Sequence, residues 1–400
     1  MPTLQPGVEV DIVYAAESTI GTAAAAGGTS QKVRRVQSTL APAAQPYQSE
    51  ENASHQQIAD LRLGNRMAGG NIDGELSTQT YDDFIEAAMR GTWTSGSTTG
   101  SISLSANSGT SSIDRAAGSF LTDGFKVGDI VRATGFAGGG AVNNNVNYRI
   151  TALTATVMTV SPAPTTIAAA AGVTVAVQGR KLLVGTTKRS FTIEHSYPSI
   201  DATERFDGCR IGGFSLRIPP NGMVGISFPV MGLSTTLLAG ASAPYFTTPT
   251  AETSTQILSG ATAAVRVQGA DTLVATALEF NLSNNLSNAP VIGSSSMPDI
   301  FYGRTVITGS FSAYFESNAY YTAFLAETEV DIATALWTVD ATPASFMNLV
   351  ATRVKLMSPQ KTVTPNGGIV ATFPFQSLRK VGGAGTTSDT TSLMIQRSNA

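Results

Sequence analysis

The 400-residue chain has one cysteine, Cys209, two histidines, His55 and His195, and charged side chains at only 13% of its positions. Each shortage closes off a class of chemistry. A single cysteine excludes a disulfide within the chain, and its ordinary role is that of a small buried hydrophobe. Two isolated histidines and one thiol fall short of the roughly four convergent ligands of a zinc site. No GxSxG elbow supports a nucleophile. The glycine-rich stretches "GFAGGGAVNNN" and "VGGAGTTSD" lack the Gly-Lys-Ser/Thr ending and the strand-to-helix setting that presents backbone N–H groups to phosphate. Acid pairs such as Asp82-Asp83, Glu50-Glu51 and Glu327 with Glu329 read as solvated groups rather than a glycosidase couple. No catalytic residue, cofactor or metal ligand is therefore expected.

Other absences bear on location and partners. No apolar run approaches the ~18 residues of a membrane-spanning helix, and the opening "MPTLQPGVEVDIVYAAES" has no cationic segment leading into an apolar core, so no membrane insertion and no secretory signal are expected. A net charge of −3 has the wrong sign for gripping nucleic acid through its phosphates. A surface this poor in charge is easily desolvated, which suits large subunit contacts.

What the chain does have is a repeat. "PNGMVGISFPVMGL" from Pro220 returns as "PNGGIVATFPFQSL" from Pro365, with Pro220, Asn221, Gly222, Phe228, Pro229 and Leu233 recurring 145 positions on. Phe214, Leu216 and Ile218, then Val224, Ile226 and Phe228, alternate on either side of Pro219-Pro220-Asn221-Gly222, the pattern of a half-buried hairpin. Val354 and Leu356, then Ile369, Ala371 and Phe373, repeat the period. Pro229 and Pro374 are expected at a strand end or an edge, because each removes a ladder donor.

Upstream, "GELSTQTYDDFIEAAMRGTW" from Gly74 corresponds to "GSFSAYFESNAYYTAFLAET" from Gly309. The first reads as a helix with Tyr81, Phe84, Ile85, Ala88 and Met89 on one face, Thr80 as cap, Asp82 and Asp83 at the positive end and Gly91 as stop. The second reads as a helix capped by Ser317 with a stripe of Tyr320, Tyr321, Phe324 and Leu325. Gly74 lies 146 positions before Pro220, but Gly309 only 56 before Pro365, so the first half carries 90 extra residues. The Ser/Thr/Gly/Ala-rich span 94–179, with short apolar runs around Val131, Ile150 and Val160, is their natural location and reads as a small antiparallel β-module. The expected organisation is a first unit at 1–93 and 180–250, an inserted module at 94–179, and a second unit at 251–400 ending in a C-terminal arm. Long irregular connections are expected at 45–70 and 281–303.

This order of features resembles the phage tail tube proteins of long non-contractile tails. The resemblance covers residues 1–93 and about 180–400, and the insert is similar to the small β-barrels or immunoglobulin-like modules that decorate tail proteins. It implies a mainly β fold with few helices, built of two β-sandwich or partial-barrel units each with a flanking helix. It also implies a structural virion protein assembled in the host cytoplasm. Rings of the chain would stack into a tube around a channel for the tape measure protein and then DNA, which passes without specific binding. Tail terminator and distal tail proteins would be further partners. Two units per chain suggest a homotrimeric ring with pseudo-six-fold symmetry, with a homohexamer as the alternative. Rings would stack through the terminal segments 1–29 and 381–400 and the two long connections. Contact candidates there are Gln45, Tyr47, His55, Leu61, Arg62, Leu63 and Arg66, and Leu282, Leu286, Ile292, Met297, Ile300, Phe301 and Tyr302. Competing readings are a distal or baseplate ring, an adhesin-like surface subunit and a virion-borne glycan hydrolase.

Overall fold

A computed structural model describes residues 4–51, 54, 56–58, 60–272, 274–363 and 367–399. The chain is mainly β, with two α-helices among the described residues. Six strands between Ile102 and Val177 form a closed barrel packed on Phe120, Phe125, Tyr148 and Met158. The chain leaves for the barrel and returns from it side by side, since Thr94 and Ser95 pair with Lys181 and Arg180.

Outside the barrel, the first half contributes β1 (Asp11–Ala16), β2 (Gln31–Lys32), β3 (Ala41–Gln48), β4 (Leu61–Glu75), α1 (Asp82–Met89), β5 (Arg180–Leu183), β6 (Phe191–Tyr197), β7 (Ala202–Ile211), β8 (Gly213–Ile218) and β9 (Gly225–Gly232). The second half contributes β10 (Ala263–Val267), β11 (Ala270–Thr272), β12 (Ala275–Ser283), β13 (Val306–Tyr314), α2 (Ala319–Leu325), β14 (Val330–Trp337), β15 (Phe346–Leu356), β16 (Gln360–Thr362), β17 (Val370–Ser377) and β18 (Met394–Arg397).

Strand registers recur between the halves. Ser215 stands opposite Ser227 in β8–β9, and Gln360 opposite Thr372 in β16–β17, each partner 145 positions on. Ile211 opposite Val230 becomes Leu356 opposite Phe375 at the same spacing. Ile72 opposite Phe228 becomes Phe311 opposite Phe373. Even the irregularities match: the β6–β7 ladder slips between Phe191 and Ile193, and the β14–β15 ladder slips between Val330 and Ile332. A bulge bends and twists its strand at a defined position, so the two halves bend alike.

These registers correct the gap-free match of Gly74 with Gly309. Ala313, not Gly309, occupies the place of Gly74, because Ala313 faces Ala371 as Gly74 faces Ile226. The connector from strand to helix is shorter in the second half, so aligning helix on helix displaces the strands. Gly309 has its own reason to be glycine: a Cβ there would lie 2.1 Å from the Glu279 carbonyl oxygen and 2.4 Å from the Phe375 ring.

One antiparallel sheet runs through both halves in the order β3-β4-β9-β8-β12-β13-β17-β16. Pro229 and Pro374 therefore lie inside it, not at an edge or a strand end. The Gly212 N–H donates to the Pro229 carbonyl, while the Gly212 carbonyl is taken by the Asn284 N–H, so nothing is left waiting for the donor that proline lacks. The Met357 N–H bonds the Pro374 carbonyl in the same way. Val354 and Leu356 lie on β15, and the strand that completes the second hairpin is the short β16; Pro365 and Asn366 of its turn lie outside the described residues.

The sheet buries one face. In the first half Phe228 meets Phe84 of α1, which also packs on Tyr14 and Phe191. In the second half Phe373 stacks on Phe311 at 5.0 Å and meets Tyr320 and Tyr321 of α2 edge-on. Aromatic pairs at such spacings add to the ordinary gain from burial. The α1 stripe is buried as its periodicity requires. Thr80 does not cap the helix: its hydroxyl bonds Ser77 and Thr253. Arg90, with φ of 55°, ends it one residue before Gly91. In α2 Leu325 points out to solvent, and Ser317 is not the cap: Asn318 holds that position without a side-chain cap bond, while the Ser317 hydroxyl accepts from the Ala319 N–H at 3.3 Å.

The terminal segments are not free arms along their length. β1 is a paired core strand, and the buried strand β18 lies between β15 and β5, where Arg397 reaches Asp82 at the start of α1. Residues 1–3 and 400 lie outside the described residues.

Candidate assembly interface

Strand alternation gives the sheet a second face, opposite the one on which α1 and α2 pack against Phe228 and Phe373. Along one row across it stand Asp73, Ser227, Ser215, Asn281, Thr308 and Gln376, each directly opposite the next. The adjacent row is Glu75, Gly225, Arg217, Glu279, Ser310 and Pro374. Side chains satisfy one another along this face: Ser215 donates to Asn281 at 2.5 Å, Gln37 to Asp73 at 2.7 Å, and Arg217 pairs with Glu279 at 3.1 Å. The two rows are thus polar, without aromatics, and carry three carboxylates against one cation. The sequence pattern that reveals apolar positions also places these outward residues, but their joining into one eight-stranded face depends on the β8–β12 pairing.

The two long connections differ from expectation. Much of 45–70 is a hairpin of β3 and β4, with a register shift between Ala44 and Pro46, and most of its outer residues are exposed on both faces as it projects from the sheet. Gln45, Tyr47, Leu61, Arg62, Leu63 and Arg66 are exposed on it; Arg62 pairs with Asp60, and the Arg66 N–H bonds the Ser295 carbonyl. His55 lies outside the described residues. In 281–303, Ile292 and Phe301 are exposed, Leu286 is half-buried, and Leu282, Met297 and Ile300 are buried within the subunit. Tyr302 is half-buried beneath the guanidinium groups of Arg90 and Arg210. Burial raises its hydroxyl pKa against the pull of Arg210 and Arg90.

Asn284 went unremarked in the sequence, yet it joins the halves. It is fully buried, donates through its side chain to the Ala88 carbonyl at the end of α1, and accepts from Thr305. A lone polar residue at the end of an apolar strand carries no sign of that partner.

Among the described residues no cluster of His, Cys, Asp or Glu is arranged to hold a metal ion. His195 is buried beside Phe206 with Ser38 at 3.2 Å, and burial followed by the nearby Arg35 lowers its pKa to about 4. Burial, then Glu17 and Asp207, raises the Cys209 thiol well above its usual value, which leaves it an inert core group.

A repeated β-unit with a continuous polar face, free sheet edges and a projecting hairpin defines a building block for β-structured assemblies. The chain belongs to the phage tail tube protein family: the family model described as "Phage tail tube protein" matches residues 7–377. No curated protein matches it. It is accordingly a structural component of a virion tail, which assembles with itself and with other tail proteins into a tube.

Proposed function

We propose that three chains close into a pseudo-six-fold ring, each supplying two equivalent units at 1–93 with 180–250 and at 251–400, and that the barrel of 94–179 is an outward module. The polar face lines the channel, through which the tape measure protein and then DNA pass. Phosphates find little to hold them on a wall with more carboxylates than cations, since retention needs cationic partners that release counterions. Rings stack through the projecting hairpin 41–75 and the 284–303 connection, and the column ends on terminator and distal tail proteins. Assembly of this kind takes place in the host cytoplasm and uses no catalytic step.

The observation carrying this reading is the recurrence of strand registers between the halves, because equivalent units joined side by side are what a closed ring requires. Negative-stain microscopy of the purified chain, with mass measurement of the ring, tests it. Tubes built of three-chain rings support the proposal. Six-chain rings overturn the stoichiometry, isolated rings favour a distal component, and monomers at high concentration defeat the assembly reading.

A further inference from the structure

The chain already contains one seam between its two units. There β8 runs antiparallel to β12, with Ser215 opposite Asn281, Leu216 opposite Phe280 and Arg217 opposite Glu279. By the registers above, the counterpart of β8 is β16. The counterpart of β12 is the edge formed by Gln37, Ser38 and β3: Ala41 faces Gly69 and Ser38 faces Ile72, as Asn281 faces Thr308 and Leu278 faces Phe311. Among the described residues each counterpart pairs on one side only, Gln360–Thr362 with β17 and the 37–48 edge with β4.

Both edges show what is missing. Ile218, covered at the internal seam, is 4% exposed, while its counterpart Val363 is 68% exposed. Val36, just before the other edge, is 67% exposed. The Thr39 N–H donates inward to the Asn71 carbonyl, so the Leu40 N–H points away from β4 and reaches only the Ser38 hydroxyl at 3.3 Å. On the opposite edge Lys361 lays its ammonium group 4.3 Å from the Phe315 ring centre, on the core side where Leu216 sits in the first half.

We propose that β16 of one copy adds antiparallel to the 37–43 edge of the next, with Gln360 opposite Ala41, Lys361 opposite Leu40 and Thr362 opposite Thr39. This rests on the ring reading and supplies its contact. The seam repeats the internal one, so every unit meets its neighbours alike, and Gln360, Thr362 and Thr39 continue the polar face, with the small Ala41 beside them and no new charge. The next hydrogen-bonded pair brings Pro359 opposite Pro42. Neither has an N–H, so the ladder stops there, which shortens the seam and blunts each free edge against pairing with unrelated strands.

Cysteine cross-linking in the full-length chain tests the register, with Cys209 buried and silent. Directly opposed residues in an antiparallel pair have Cα atoms about 4.5–5.5 Å apart, inside the disulfide window. Ala41→Cys with Gln360→Cys, and independently Thr39→Cys with Thr362→Cys, should give on mild oxidation a reducible ladder that ends at the ring size. The displaced pair Ala41→Cys with Thr362→Cys should give less than about a tenth as much. Rings in the microscope without cross-linking of either matched pair, or equal cross-linking of the displaced pair, overturn the seam. Absence of rings from the unsubstituted chain overturns the ring reading itself, and the seam falls with it.

Discussion

The ammonium nitrogen of Lys181 lies 2.6 Å from Oδ1 of Asp129, and both side chains are buried where the barrel meets the sheet. Asp389 Oδ2 approaches the same nitrogen at 2.9 Å, so β5, the barrel and the C-terminal segment share one charge cluster. Burial opposes charging of Lys181, but the carboxylates of Asp129 and Asp389 outweigh it and its pKa stands above the ordinary lysine value. Lys181→Met strands a buried carboxylate and should cost about 3–5 kcal/mol in urea unfolding. Adding Asp129→Asn should recover part of that loss; equal stability of wild type and the single variant would show that the cluster contributes nothing.

His195 gives the fold a dependence on acid. Its folded pKa of about 4 lies below the ordinary 6.5, so the unfolded chain takes up the proton first. Its contribution is complete above pH 6.5 and is lost as pH falls toward 4, by at most about 3 kcal/mol. Buried Glu194 has a raised pKa and works in the opposite direction. The difference between wild type and His195→Gln isolates the histidine: the variant's stability should fall less between pH 7 and pH 4.5. Parallel pH profiles would refute this.

The excess of carboxylates on the proposed channel wall can be cancelled by design. Ser227→Lys with Thr308→Lys adds two cations per chain to the row that runs through Ser215 and Asn281. Wild-type tubes should hold duplex DNA negligibly at moderate salt. The double variant should bind it, with log K falling by about 0.9 per log unit of salt for each phosphate neutralised. Tight, salt-sensitive binding by the wild type would contradict the proposed lumen.

Stacking should weaken when the hairpin surface is changed, with the subunit fold left intact. Leu61 and Leu63 are 57% and 63% exposed, far from the sheet core. Leu61→Asp with Leu63→Asp should leave subunit stability within about 0.5 kcal/mol, preserve rings and shorten or abolish tubes in micrographs. Tubes of normal length would remove the hairpin from the stacking surface.

Much of this molecule follows from local pattern. Alternation marked Phe214, Leu216, Ile218 and Ile226 as inward, and helical periodicity marked Phe84, Ile85 and Met89 as core, because burial of one face imposes those periods. The repeated Pro-Asn-Gly segment pointed to two halves of one plan. Where local reading failed, a distant partner had decided the outcome: Pro229 sits inside the sheet because Asn284 occupies the neighbouring carbonyl, and Met297 and Ile300 are buried because residues 284–303 fold back onto Leu233, Met67 and Met231.

By itself the sequence determined the β character, the duplicated hairpin, the two helices and the scarcity of histidine and cysteine, all properties set by nearest neighbours along the chain or by composition. Only the tertiary structure decided which strands meet. It joined β8 to β12, carried the polar row from Asp73 to Gln376, and left Val363 uncovered. A strand's own alternation says which side is apolar, but backbone hydrogen bonds at its edges are alike for every residue, so the choice of neighbour comes from packing across the whole fold.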